Sequence, residues 1–163
     1  MKKLTILVVA LLTMVITAQA QEIQKLFDKY SNDERFTYVS IGSGVMGLAS
    51  VFNKGKTEGA TKDLISKITG LKILSLEHEQ GTTETNKKLF KSISDDFNSI
   101  ITKAAKETLV EIRDKGEGMN IYLIDDGIIM FSKDGNELTL IWISGDIKKS
   151  DMETLMSSIN IKH

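Results

Sequence analysis

Apolar residues in this chain recur first at helical and then at strand spacing. After an uninterrupted apolar run from Leu4 to Thr17, Ile23, Leu26, Phe27 and Tyr30 fall at i, i+3, i+4 and i+7, which predicts a short helix. The β-branched and aromatic stretch "FTYVSIG" (36–42) predicts a strand, and Val45, Leu48, Ala49 and Phe52 give a second helical stripe up to Asn53. The polar stretch "NKGKTEGA" reads as a loop. Thr61 then stands as N-cap of a helix carrying Leu64, Ile65 and Ile68, with Gly70 placed to end it. "LKILSLEH" (71–78) alternates Leu71, Ile73 and Ser75 against Lys72, Leu74 and Leu76, as a strand does. The strongest helix follows, with Leu89, Phe90, Ile93, Phe97, Ile100, Ile101 and Ala104 on one face.

Beyond that helix the pattern changes to "TLVEIRD" (108–114), "MNIYLID" (119–125), "GIIMFSK" (127–133) and "ELTLIWIS" (137–144). These strands are separated by Gly116-Glu117-Gly118, Asp126-Gly127 and Asp134-Gly135-Asn136, turn sequences that predict an antiparallel meander. Ser150 and Glu153 read as a capping box for a last helix whose buried face is Met152, Leu155, Met156 and Ile159. Mixed helices and strands followed by a run of strands predict a single α+β domain over 21–163, with a mostly antiparallel sheet and a C-terminal β-meander at about 108–144 packed against amphipathic helices. In "ELTLIWIS" both alternating sets are apolar, so this strand is expected to be covered on both faces, by helices or by a partner.

The N-terminus has the pattern of a secretory signal. Lys2 and Lys3 precede the uncharged apolar run, which is shorter than the roughly 20 residues that span a bilayer, and Ala18-Gln19-Ala20 supplies the small residues of a cleavage site. Residues 1–20 are therefore expected to be removed between Ala20 and Gln21, leaving an exported protein of the periplasm, cell surface or medium. The chain contains no cysteine, which rules out a lipid-modified N-terminal Cys and any disulfide framework. Two of the 21 basic residues and none of the 22 acids leave with the signal, so the mature chain carries three more acids than bases. That balance argues against a nucleic-acid footprint. Nothing after Gln21 is apolar enough to form an integral membrane segment.

Several motifs suggest chemistry and then lack its context. Gly42, Gly44 and Gly47 have the G-x-G-x-x-G spacing, but a dinucleotide site needs a parallel βαβ unit and an acidic residue about 20 positions on. Two helices and a loop precede the next strand, so the three glycines are read as structural, serving φ freedom and close packing at a strand-to-helix bend. Gly55-Lys56-Thr57 resembles the end of a P-loop, but Ser50 stands where its first glycine is required. Ser43 lacks the glycines of a nucleophile elbow, because 41 and 45 are Ile41 and Val45. The histidines are His78 and His163, leaving only His78 for an internal Ser-His pair. Glu77, His78 and Glu79 on a strand point to opposite faces and do not converge on a metal. No catalytic, cofactor-binding or metal-binding residue is assigned. Tyr122 and Trp142 are the candidate interface aromatics, with burial in the core as the competing reading.

Over residues 21–160, "EIQKLFDKYSNDERFTYVSIG", "LKILSLEH", "KLFKSISDDFNSII" and "ELTLIWISGDIKKSDMETL", with the phrase Ile143-Ser144-Gly145-Asp146-Ile147, resemble an exported Bacteroidetes family, domain of unknown function 4252. The resemblance implies a small periplasmic or surface protein without an assigned enzymatic activity, some relatives being encoded near extracytoplasmic sigma-factor genes. It brings no functional residue. The expectation is a non-enzymatic interaction or regulatory domain of the cell envelope, with an envelope protein as partner. The alternative is a small-ligand binder or hydrolase with a pocket at the 42–47 bend.

Overall fold

A computed structural model describes residues 20–45, 60–77, 84–115, 117–134 and 137–158. Helix α1 covers 20–31, and all four residues of its apolar stripe are buried. Strand β1 is Phe36–Ile41, and 43–45 are helical. There follow α2 (Ala60–Lys67), β2 (Ile68–Glu77), α3 (Glu84–Ala104), β3 (Glu107–Asp114), β4 (Glu117–Ile124), β5 (Gly127–Asp134), β6 (Glu137–Gly145) and α4 (Lys149–Ser158). The strands form one antiparallel sheet in the order β1-β2-β6-β5-β4-β3. The α+β class and the C-terminal meander are as expected from the sequence. Residues 1–19, the stripe residues Leu48, Ala49 and Phe52, the P-loop-like stretch, Gly47, His78 and His163 lie outside the described residues.

The core lies between α1, α3 and one face of the sheet. Pairing places Tyr38, Leu74, Leu140, Phe131 and Asn120 in one row across that inner face, and Ser40, Lys72, Trp142, Ile129 and Tyr122 in the next. Leu74, Leu138, Leu140 and Ile129 are at most 1% exposed beneath Phe27, Ile93 and Phe97 of the two helices. A fully buried side chain of this size contributes about 1.5–3 kcal/mol, so the i, i+3, i+4 stripes of α1 and α3 account for why those segments are helical in a folded chain. Phe97 stacks on Phe131 with centroids 4.4 Å apart, and Phe27 meets Trp142 at 6.0 Å.

Local expectations shift at four places. Helix α2 begins at Ala60 rather than after Thr61 and ends at Lys67, so Ile68, Thr69 and Gly70 already belong to β2, which bulges between Ile68 and Gly70. Gly70 is therefore no helix cap. A Cβ there would lie 2.8 Å from Ser144 Oγ and 3.3 Å from the Ile41 carbonyl oxygen, so a close approach of three strands explains the glycine. The first meander turn is shorter than predicted, because Asp114 pairs with Glu117 and Lys115 takes a positive φ of 43°. At the second, Ile124 pairs with Gly127, so the turn is Asp125-Asp126 and Gly127 follows it at φ 107°. The last helix starts at Lys149, which moves the cap: the Lys148 N–H donates to Asp151 Oδ2 at 2.9 Å, the reach-back half of a capping box with Asp151 in the place expected for Glu153.

Candidate interaction surface

Every strand has a second alternating set, and on the face turned away from α1 and α3 these sets line up. Pairing runs Val39–Ile73–Ile141–Met130–Ile121–Val110 across all six strands without a polar residue. At strand spacings of about 4.8 Å this row is roughly 24 Å long. Beside it lie Ile41, Leu71, Ile143, Ile128 and Leu123 on one side, and Thr37, Ser75, Thr139, Ser132, Met119 and Ile112 on the other. Helix α4 lies at the Gly145 end of this outer face: Lys149 Nζ reaches Glu107 of β3, and Asp151 pairs with Lys67 at 2.5 Å. Ile128 and Ile147 are buried there, each 6% exposed. From Ile73 to Val110 the central row is half-buried; Val39 at its β1 end is 39% exposed, and Ile112 of the neighbouring row is 50% exposed on β3. An apolar row of this kind on a sheet face is a candidate interaction surface.

The two edges of the sheet differ. Strand β3 carries Glu107, Glu111, Arg113 and Asp114 and a bulge between Thr108 and Val110, devices that keep an edge from pairing. Strand β1, "FTYVSI", has no charge and no proline, and among the described residues only β2 pairs with it. Thr37, Val39 and Ser40 are exposed.

Tyr122 and Trp142, the interface candidates, both lie on the helix-covered face. Trp142 is 6% exposed against Phe27, its Nε1–H donates to the Asp126 carbonyl at 3.1 Å, and Lys72 Nζ sits 4.9 Å from its ring centroid. Tyr122 is half-buried against Phe97, and burial raises its phenol pKa. This corrects the interface reading of these two residues: the strand pleat turns their side chains inward, and Ile121 and Ile141 beside them face outward. The doubly apolar pattern that predicts a cover on the second face of β6 is also present, in weaker form, in "MNIYLI" and "GIIM" of β4 and β5.

At the glycine bend, β1 and β2 pair antiparallel, which is incompatible with the parallel βαβ unit of a dinucleotide fold. Gly42 and Gly44 have no positive φ, and a Cβ on either meets nothing within 4 Å. The φ freedom and close packing expected of them are therefore not needed at these two positions, and Gly42 through Val45 are all exposed. Gly42→Ala and Gly44→Ala are expected to change unfolding free energy by no more than about 0.5 kcal/mol, checked by denaturant melts. Ala20 is half-buried and Gln21 exposed at the start of the described part of α1.

Two polar clusters complete the picture. Between α1 and α3 a shallow, open groove of about 250 Å³ is walled by Leu26, Lys29, Asp96 and Ile100. Tyr30 Oη and Lys29 Nζ both donate to Asp96 Oδ2, at 2.6 and 2.5 Å, tying the helices together. Burial pushes the Asp96 pKa up, and these two hydrogen bonds outweigh it, holding it below the ordinary value. At the other end of the inner face Lys72 bonds Gln24, and Asp126 is half-buried. Burial raises the Asp126 pKa despite a Gly145 N–H and the Lys72 charge, which favour the carboxylate. A raised carboxyl pKa in the folded state means the ionised group costs stability above that pKa, a cost that disappears below the unfolded value of about 3.9. Asp126→Asn is thus expected to raise the melting temperature at neutral pH, with the gain vanishing below about pH 3.9. Among the described residues no three His, Asp or Glu side chains are grouped to hold a metal, and no helix is long and apolar enough to cross a membrane.

A family model described as domain of unknown function (DUF4252) matches residues 30–155. No curated protein matches the chain. Among solved structures, the solution structure of cyanobacterial PsbP (CyanoP) from Synechocystis sp. PCC 6803 is similar over 77% of this chain and 76% of that one, at 11% identity and a TM-score of 0.25.

Proposed function

The chain belongs to the DUF4252 family, and from that premise we propose that it is an exported, non-enzymatic interaction domain of the cell envelope that binds a partner protein through its outer sheet face. The observation that carries this reading is the unbroken apolar row from Val39 to Val110, which the fold leaves half-buried. Burying such a row against a partner gains roughly 25 cal/mol per Å² before the entropic costs of association, so a complementary apolar surface is the chemistry it selects. The n-region, h-region and Ala18-Gln19-Ala20 support export, which places the surface where envelope proteins meet it.

The test is a pull-down from envelope extract with the mature chain as bait, compared with an Ile73→Thr/Ile141→Thr double variant. Threonine keeps the β-branched shape and strand preference while removing apolar surface from the middle of the row. The wild type should recover a stoichiometric partner that the variant loses. Identical recoveries, or none, would count against the face as a binding surface. Mass spectrometry of the same exported material should find Gln21 as the first residue, and an intact Met1 terminus would refute cleavage.

A further inference from the structure

Among the described residues the sheet is protected at one edge, β3, and has no such protection at the other, β1, which is self-complementary. We infer that β1 pairs antiparallel with β1 of a second copy, about a two-fold axis normal to the sheet and running midway between the two Val39 residues, so that the two sheets become continuous. The inference rests on the interaction reading above and names a second copy of this chain as an additional partner at the edge.

The chemistry of β1 specifies the occupant. An edge strand presents a row of free backbone N–H and C=O groups, and the ligand that satisfies them is another extended strand. Across a two-fold normal to the sheet, opposed residues must share a face, so their numbers add to an even sum and one residue sits opposite itself. With the two Val39 residues opposed across the axis, Thr37 faces Ile41 of the copy, and Tyr38 faces Ser40. No like charges meet, because "FTYVSI" carries none. The same operation applied to β3 would bury a strand with four charged residues against a second such strand and across a bulge. Pairing at β1 also buries the exposed Val39 side chain and extends the Val39–Ile73–Ile141 row into the same row of the second copy. Such an isologous, closed two-fold contact is the commonest form of oligomer.

The test uses the chain from Gln21 to His163 in sedimentation or light-scattering measurements from micromolar to submillimolar concentration. Wild type and Ile112→Lys should dimerise. Val39→Lys, which sets two ammonium groups opposite each other, should weaken the dimer by about tenfold or more while leaving the circular dichroism spectrum and melting temperature of the monomer unchanged. Because the chain has no cysteine, Val39→Cys introduces a single thiol whose Cβ lies about 4.5–5.5 Å from its symmetry mate. Under mild oxidation it should form a disulfide-linked dimer much faster than Ile112→Cys. A wild type that stays monomeric, a Val39→Lys variant that still dimerises, or equal cross-linking at the two edges would overturn the inference. If the chain is monomeric while Ile73→Thr/Ile141→Thr still loses its envelope partner, self-pairing fails and the interaction reading stands. If the dimer forms and no envelope partner is recovered, the reverse holds.

Discussion

Phe97→Ala is expected to lower the unfolding free energy by about 3–5 kcal/mol, a large fraction of what holds a domain of this size together. Phe97 is 1% exposed in the middle of α3, stacked on Phe131 at 4.4 Å with an interplanar angle of 14° and tilted against Tyr122 at 6.2 Å. Truncation removes the transfer free energy of the ring and leaves a cavity between helix and sheet that neither rigid layer can close. Phe90 lies two helical turns earlier on the same stripe and is only half-buried, so Phe90→Ala should cost roughly half as much. Denaturant midpoints at unchanged m-value measure both. Equal losses at the two positions would show that the sheet side of α3 is not the centre of the core.

Gly127→Ala is expected to cost about 3 kcal/mol or more, and with it roughly 6–12 °C of melting temperature. Two effects act at this position. The backbone has φ 107°, which an L side chain rarely adopts, and a Cβ built there falls well inside contact distance of the Ile143 carbonyl oxygen. Relief would require β5 to move from β6, whose pairing Ile128↔Ile143 begins one residue on. Gly145 shows the same combination, a positive φ and a Cβ that would meet the Lys67 carbonyl oxygen. The comparison with Gly42 and Gly44 makes the test decisive: four Gly→Ala variants, two expected to be neutral and two severe. A loss under about 1 kcal/mol at Gly127 would mean that the turn relaxes by itself.

That contrast shows where sequence reading stopped. The glycine-rich motif Gly42-Ser43-Gly44 sits at an open bend, where a Cβ on either glycine meets nothing within 4 Å. The glycines the backbone depends on, Gly70, Gly127 and Gly145, belong to no chemistry-bearing motif; in the sequence they read as a helix stop, a turn and part of a family phrase. A glycine's necessity lies in its φ and in what approaches it, and the atoms that approach Gly127 come from sixteen or more residues along the chain. Trp142 and Tyr122 illustrate the same limit for surfaces. Each strand from β4 to β6 offers two apolar sets, and composition does not say which set meets the helices. The stripes on α1 and α3 were legible because a helix with one apolar face has only one way to bury it.

Within the described residues the sequence by itself determined the order of helices and strands, the antiparallel meander and the faces of α1 and α3 that form the core, because hydrophobic period and turn chemistry act over a few neighbouring residues. Tertiary structure alone decided that β2 inserts between β1 and β6, that β1 is an uncharged edge, and that Val39, Ile73, Ile141, Met130, Ile121 and Val110 fall into one outward row. The physical reason is register: partners far apart in the chain are matched by backbone hydrogen bonds, and a shift of one residue would turn each of these side chains to the other face.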